Sequence, residues 1–229
     1  MSEKLGKLLE SISIDCVIFG FNGQGLEILL IKRKNKPSEG MWALPGGFIN
    51  SNENLDDAAH RTLTELTGAK DIYMEQVHTF GAVNRYPLRR VITITYYALV
   101  KPGQYTLKAG SNASKVEWFS IKEMPELPFD HQNIFDHALK KLRILVRSKP
   151  IGFELLPKKF SLTDLQSLYE VVLGEGLDKR NFRKKILKMN ILVDLQEKQK
   201  DVAHRAAFLY EFDQKNYDMM KEKGVVFDL

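Results

Sequence analysis

The spacing of apolar residues changes character near residue 150. Before it, strand-like stretches alternate with two helical ones. Residues 12–21 and 26–31 predict strands around the turn residues Asn22, Gly23 and Gly25, a hairpin pattern. Residues 74–83 and 91–100 predict two more, the second with Ile92, Ile94 and Tyr96 alternating against Thr93 and Thr95. Helical spacing runs over 55–66, with Ser51 or Asn52 as the N-cap, and over 132–146. Strands and helices that alternate this irregularly favour an α+β domain over a doubly wound one.

The break itself is the segment SKPIGFELLP (148–157), whose prolines and glycine place a boundary near Pro150 and divide the chain into 1–149 and 150–229. Beyond it, Ser161 with Asp164 forms the pattern of a capping box, and Leu165, Leu168, Tyr169 and Val172 keep one apolar helix face. Gly174 and Gly176 end that helix. Asp178 is placed to cap a second, with Phe182, Ile186 and Met189 inward and Arg180, Lys184 and Lys188, four apart, on the other side. Two strand-like runs follow, 191–195 and 206–212, separated by the polar stretch QEKQKDVAHR. Helix, glycine turn, basic helix and hairpin is the order of a winged helix-turn-helix.

Composition narrows the class. The 229 residues suffice for two small cores, and 44% hydrophobic with 28% charged residues is ordinary for a globular chain. Runs such as 96–100 are far shorter than the roughly 20 apolar residues of a membrane span. The first residues, MSEKLGKLLE, lack the apolar core of a signal peptide, so a cytoplasmic protein without membrane association is expected. Cys16 lies in an apolar run and is expected as a buried thiol. The net charge of +5 is modest, but residues 179–188 hold six basic side chains and no acidic one. A basic helix is either a solvated face or a phosphate-binding one. Here Lys158, Lys159, Lys179, Arg183, Lys184 and Lys188 are candidate phosphate contacts, and Arg180 and Asn181 are residue types that read guanine and adenine edges. His204 and Arg205 fall at the expected wing tip.

The densest local signal is Gly47, five residues, Glu53, seven residues, Arg61, then TLTEL, Thr67 and Gly68. The spacing resembles the Nudix box, G-x5-E-x7-R-E-U-x-E-E-x-G-U, where U is a bulky aliphatic residue. The resemblance extends upstream through GMWALPGGF (40–48) and downstream through VEWFSIKEMPELPFDH (116–131), which resembles the closing strand and loop of members that act on or bind ADP-ribose. It implies an α/β/α sandwich. In active members the helix of the box carries carboxylates at the second, fifth and sixth positions from the arginine, and these hold the divalent metal that bridges a diphosphate. In this chain those positions are Thr62, Glu65 and Leu66. A hydroxyl and an apolar side chain replace two ligands, so no metal, no cofactor and no hydrolase activity are expected. Asp57, Arg61 and Glu65, four apart, form a candidate ion-pair row that would keep Arg61 and Glu65 without catalysis. Gly46, Gly47 and Gly68 are expected in backbone turns and Trp42 in the core.

The pairing of this altered box with LPKKFSLTDLQSLYEVVLGEGLDKRNFRKKI (156–186) resembles the Nudix-related transcriptional regulators, and within them the bacterial group that responds to pentoses such as arabinose. That likeness implies a homodimer on a palindromic double-stranded DNA operator, controlled by a small effector that is a sugar or ADP-ribose. Asp15, Arg90 and His131 are polar candidates for the effector cleft, with Phe48 or Phe80 as an aromatic platform. Each polar candidate also has a structural reading: Asp15 as a turn cap, Arg90 as a surface residue, His131 as an internally bonded histidine. Two other functions compete with the regulator. A working ADP-ribose hydrolase would need the missing carboxylates to be dispensable, and a pure protein-interaction module would show no salt-dependent affinity for DNA.

Overall fold

A computed structural model describes residues 8–67, 72–200 and 206–229. Contacts divide the chain into two compact units, one running to Gly20 and from Glu27 to Lys141, the other formed by Phe21–Leu26 and Leu142–Leu229.

The first unit is built on a sheet of seven strands: β1 (Leu8–Phe21), β2 (Leu26–Arg33), β3 (Trp42–Ala43), β4 (Gly46–Asn50), β5 (Met74–Phe80), β6 (Ile92–Val100) and β7 (Ala113–Ser120). The order β3-β2-β1-β6-β5 forms its spine, while β4 pairs with β1 and β7 with β2. β1 and β6 run parallel through nine matched positions, Ile12 with Ile92 to Gly20 with Val100, and β5 runs antiparallel to β6. Asn22 shapes the turn between β1 and β2 by accepting the N–H groups of Gln24 and Gly25, both at 2.9 Å, and Gly23 takes a φ of 90°.

Helices α1 (Leu55–Thr67) and α2 (His131–Ser148) cover this sheet. Ala58, Ala59, Leu63 and Leu66 of α1 join Ile14, Cys16, Ile18, Ile94, Tyr96 and Ala98 in one buried cluster. On β6 the alternate residues Thr93, Thr95 and Tyr97 are buried as well, because the strand is central and covered on both faces. Phe135 of α2 meets Phe19 at 6.1 Å between ring centroids. The α/β/α layering expected from the sequence is therefore present. Several local details differ. The strand expected to reach residue 83 ends at Phe80, and Asn54 rather than Ser51 or Asn52 precedes the first residue of α1. Gly46 and Gly47 lie in β4 and not in a turn. A Cβ at Gly46 would sit 2.4 Å from the Ile14 carbonyl oxygen, so close strand approach is what requires glycine there. Gly68 lies outside the described residues. Trp42 is half-exposed, edge-on to Phe119 at 4.8 Å, and not a core residue.

The second unit contains a 3-10 turn (Pro150–Leu155), β8 (Phe160–Ser161), α3 (Leu162–Leu173), α4 (Lys179–Lys188), β9 (Leu192–Lys198), β10 (Phe208–Phe212) and α5 (Gln214–Glu222). The sheet order is β8-β10-β9, all antiparallel. The capping box at α3 is complete: Ser161 Oγ accepts the Asp164 N–H at 3.1 Å and Asp164 accepts the Ser161 N–H at 2.8 Å. Gly174 closes α3 in the left-handed region, with a φ of 75°. Asp178 caps α4 through the Asn181 N–H at 2.8 Å. Tyr169 of α3 and Phe182 of α4 pack at 5.6 Å, and Phe153 stacks on Phe212 at 4.4 Å. Residues 150–155, at the boundary expected near Pro150, bury Ile151, Phe153 and Leu155, and the contact division lies inside α2. Met189, expected inward, is the half-buried C-cap of α4. Among the described residues no helix is long and apolar enough to cross a membrane.

Candidate functional site

Residues of β1, β2, β4, α1 and the neighbouring loops line a cleft of about 530 Å³ in the first unit. Among the described residues four cations face it, Arg33, Lys36, Arg61 and Arg89, against two carboxylates, Asp15 and Glu65. Arg33, the last residue of β2, lies 5.2 Å over the ring of Phe129. Phe129 in turn contacts Tyr86 at 5.2 Å and His131 at 5.4 Å. Its φ of 59° is unusual for a bulky side chain, a strain of order 1–3 kcal/mol that surrounding packing must hold in place. Phe48 lies beneath Arg89 at 5.7 Å.

Behind this wall is a buried polar network. Arg85, with a side chain 5% exposed, grips Asp130 in a bidentate pair at 2.7 and 2.9 Å and reaches Asp15 at 3.3 Å. Thr93 Oγ1 donates to the same Asp15 oxygen, Oδ2, at 2.8 Å. His131 Nδ1 accepts the Leu44 N–H at 3.1 Å, which leaves the ring proton of the neutral imidazole on Nε2. Burial pushes the His131 pKa below its ordinary value, ahead of the opposing pull of Asp15 and Asp130. The imidazole is therefore neutral at physiological pH. Asp15 and His131 line the cleft, yet both already have partners inside the protein.

The helix of the box is equally committed. Arg61 makes a bidentate pair with Glu53 at 2.7 and 2.9 Å, and Glu65 stands 3.7 Å away. The hydrogen bond from Arg61 holds the Glu53 carboxyl below the usual carboxylate range, helped by Asn50. Asp57 turns to the side chain of Asn54 at 3.0 Å, so the expected Asp57–Arg61–Glu65 row is in fact Glu53–Arg61–Glu65. Thr62 Oγ1 donates to the carbonyl of Ala58 at 2.9 Å, and Leu66 is 4% exposed within the apolar cluster.

Of the sequence candidates for the cleft, Asp15, Phe48 and His131 come together there. Phe80 and Arg90 do not. Phe80 is buried edge-on to His78 and His137 and lines a separate depression of about 400 Å³, while Arg90 is exposed and bonds the Ala82 carbonyl at 2.7 Å. Arg33, Lys36, Tyr86 and Arg89 carry no signal of periodicity or motif, and Phe129 lies in the 116–131 stretch without being singled out there; a strand end and loops bring the five together from distant parts of the chain.

The second unit offers a different surface. Phe182 and Ile186 are the buried residues of α4, while Lys179, Arg180, Asn181, Lys184 and Lys188 are exposed. Arg183 is half-buried and bonds Thr163 at 3.1 Å. Lys158 is exposed, and Lys159 is held by Glu197 at 2.7 Å. His204 and Arg205 lie outside the described residues.

Comparisons with known proteins agree with both halves of this geometry. Residues 10–140 match the NUDIX domain family, and residues 152–212 match the NrtR DNA-binding winged helix domain. The ADPR responsive transcriptional repressor NtrR of Acinetobacter baylyi is 34% identical over 211 residues, which is 90% of this chain and 84% of that protein. Shewanella oneidensis NrtR, in a crystal structure with a 27mer DNA, is 29% identical with a TM-score of 0.76, covering 90% of this chain and 95% of that one. An ADP-ribose pyrophosphatase of Methanocaldococcus jannaschii is 36% identical over 130 residues, 57% of this chain and 73% of that enzyme.

Proposed function

Since the chain belongs to the NUDIX domain family and carries an NrtR-type winged helix behind that domain, we propose that it is a transcriptional regulator that binds double-stranded DNA and senses ADP-ribose. The observation that carries the reading is the exposed stripe Arg180, Lys184 and Lys188, set opposite the buried Phe182 and Ile186 on the second helix of a helix-turn-helix. In such a motif the second helix enters the major groove, with its N-terminal residues at the base edges. The functional limits are 1–149 for the effector domain and 150–229 for the DNA-binding domain. The working form is a homodimer on a palindromic operator, as two-fold half-sites demand.

For the effector, the four cations of the cleft suit a diphosphate better than a neutral pentose, which would be held by hydrogen bonds and an aromatic face. The A. baylyi relative is described as ADPR responsive, and none of the relatives above speaks for arabinose. Hydrolysis is a second reading, favoured by the likeness to the M. jannaschii pyrophosphatase and by the retention of Glu53, Arg61 and Glu65. Thr62 and Leu66 speak against it.

The test uses the whole chain and a duplex selected from a random pool. Salt-dependent binding that ADP-ribose alters and arabinose does not is the expected result. No binding to any selected duplex would sink the regulator reading. Magnesium-dependent turnover of ADP-ribose at roughly 1–10³ per second would establish the hydrolase instead.

A further inference from the structure

Active members of the Nudix family hold a diphosphate through a divalent metal on the helix of the box, and the residues of α1 do not fit such an ion. The Thr62 hydroxyl is spent on the Ala58 carbonyl, Leu66 is packed in the apolar cluster, and both oxygens of Glu53 are engaged by Arg61. Glu65 alone remains, beside a guanidinium at 3.7 Å. A magnesium ion needs near-octahedral oxygen geometry, usually from one or two carboxylates, waters and the phosphates themselves, and a lone carboxylate facing an arginine is a poor start.

The cationic side chains of the cleft are better supplied. Arg89 is paired with Glu10 and Arg61 with Glu53, which leaves Arg33 and Lys36 as the cleft cations with no ion-pair partner among the described residues. Arg33 is oriented by a bond from its Nε to the Pro37 carbonyl at 3.1 Å and by the Phe129 ring beneath it, so its remaining donors are pre-positioned. Lys36, three residues on, is exposed at the cleft margin. Two unpaired cations match the two negative charges of a nucleoside diphosphate ester.

Resting on the ADP-ribose reading above, we infer that the cleft binds the diphosphate without a divalent metal, with Arg33 and Lys36 supplying the charge that a metal supplies in the hydrolases. The aromatic group of Tyr86 and Phe129 adjoins Arg33 and offers a stacking surface for the base or ribose.

The experiment is calorimetric titration of the full-length chain with ADP-ribose, once in excess EDTA and once in magnesium chloride. The expected dissociation constants agree within about twofold, since nothing in the site gains from the ion. Arg33→Gln is expected to weaken binding about tenfold and the more exposed Lys36→Gln about threefold, with melting temperatures unchanged. Glu65→Gln is expected to strengthen binding, because it removes a negative charge beside the anion. Binding that requires magnesium, or that Glu65→Gln abolishes, overturns metal-free recognition while leaving ADP-ribose as the effector. Binding that is metal-free but indifferent to both Arg33→Gln and Lys36→Gln overturns the assignment of these two residues. Absence of binding in both buffers overturns this inference together with the reading on which it rests.

Discussion

Helices α1 and α4 are both amphipathic and both charged, yet they treat charge in opposite ways. On α1 nearly every polar side chain is answered from within the protein: Arg61 by Glu53, Asp57 by Asn54, Asp56 by the Tyr96 hydroxyl at 2.5 Å, and Thr62 by its own helix backbone. On α4 the bases Lys179, Arg180, Lys184 and Lys188 face outward, and among the described residues the one ion pair of the helix is Lys185 with Asp228, at 3.9 Å. The same 3.6-residue period underlies both helices. What separates them is whether acidic partners from elsewhere in the fold reach the face. Charges that have been answered hold the first unit together, while unanswered charges are free to meet an acidic partner.

The strongest way to break that comparison is to remove an answered charge. Arg85→Met leaves the buried Asp15 and the half-buried Asp130 without their cation, and breaking a buried pair in this manner typically costs about 3–5 kcal/mol. Equilibrium denaturation is the measurement. A loss below about 1 kcal/mol would show that Thr93 and water satisfy the two carboxylates without Arg85. Unanswered charges respond differently. Arg180→Ala is expected to cost operator affinity about 1–3 kcal/mol and to relax specificity at one position. Lys184→Ala is expected to weaken specific and non-specific binding alike and to reduce the salt slope by about one unit. Both should change stability by no more than about 0.5 kcal/mol, as exposed substitutions do. Unchanged affinity in both, with folding intact, makes the stripe a solvated face only.

The same contrast explains what was legible in the sequence. The capping box of Ser161 and Asp164, the Asp178 cap and, but for Met189, the two faces of α4 are local patterns, each closed within a few residues, and they stand as expected. The network behind the cleft is not local: Arg85 meets Asp130 across 45 positions and Asp15 across 70. No period marks Arg85 in a loop as buried. Arg90, five residues on, is the candidate the sequence suggested, and it lies on the surface. At residues 150–155 the proline and glycine mark a boundary in the sequence, and Pro150 stands at the start of a 3-10 turn, where its missing N–H costs nothing. Helix α5 escaped notice because its nine residues are short and mostly polar, and its start depends on Asp213 accepting the Asn216 N–H at 2.9 Å.

The smallest effect sharpens the comparison at a single pair. Lys158 and Lys159 are neighbours of the same charge, both exposed, and sequence gives no ground for ranking them. The structure does. Lys159 is answered by Glu197 at 2.7 and 2.9 Å, whereas Lys158 has no such partner among the described residues. A lysine that must leave an ion pair to reach a phosphate gives back part of what it gains. Lys159→Ala is therefore expected to weaken DNA binding less than Lys158→Ala or Lys184→Ala. Releasing Lys159 by Glu197→Gln should raise affinity, because it frees a cation and removes a negative charge from the same surface. The pair is exposed to solvent, so the gain is small and should shrink as salt rises. Binding isotherms of the three lysine variants and Glu197→Gln over one salt series decide the matter. If Glu197→Gln weakens binding, the pair serves to position Lys159 on the DNA, and the distinction between answered and free charges fails at this pair.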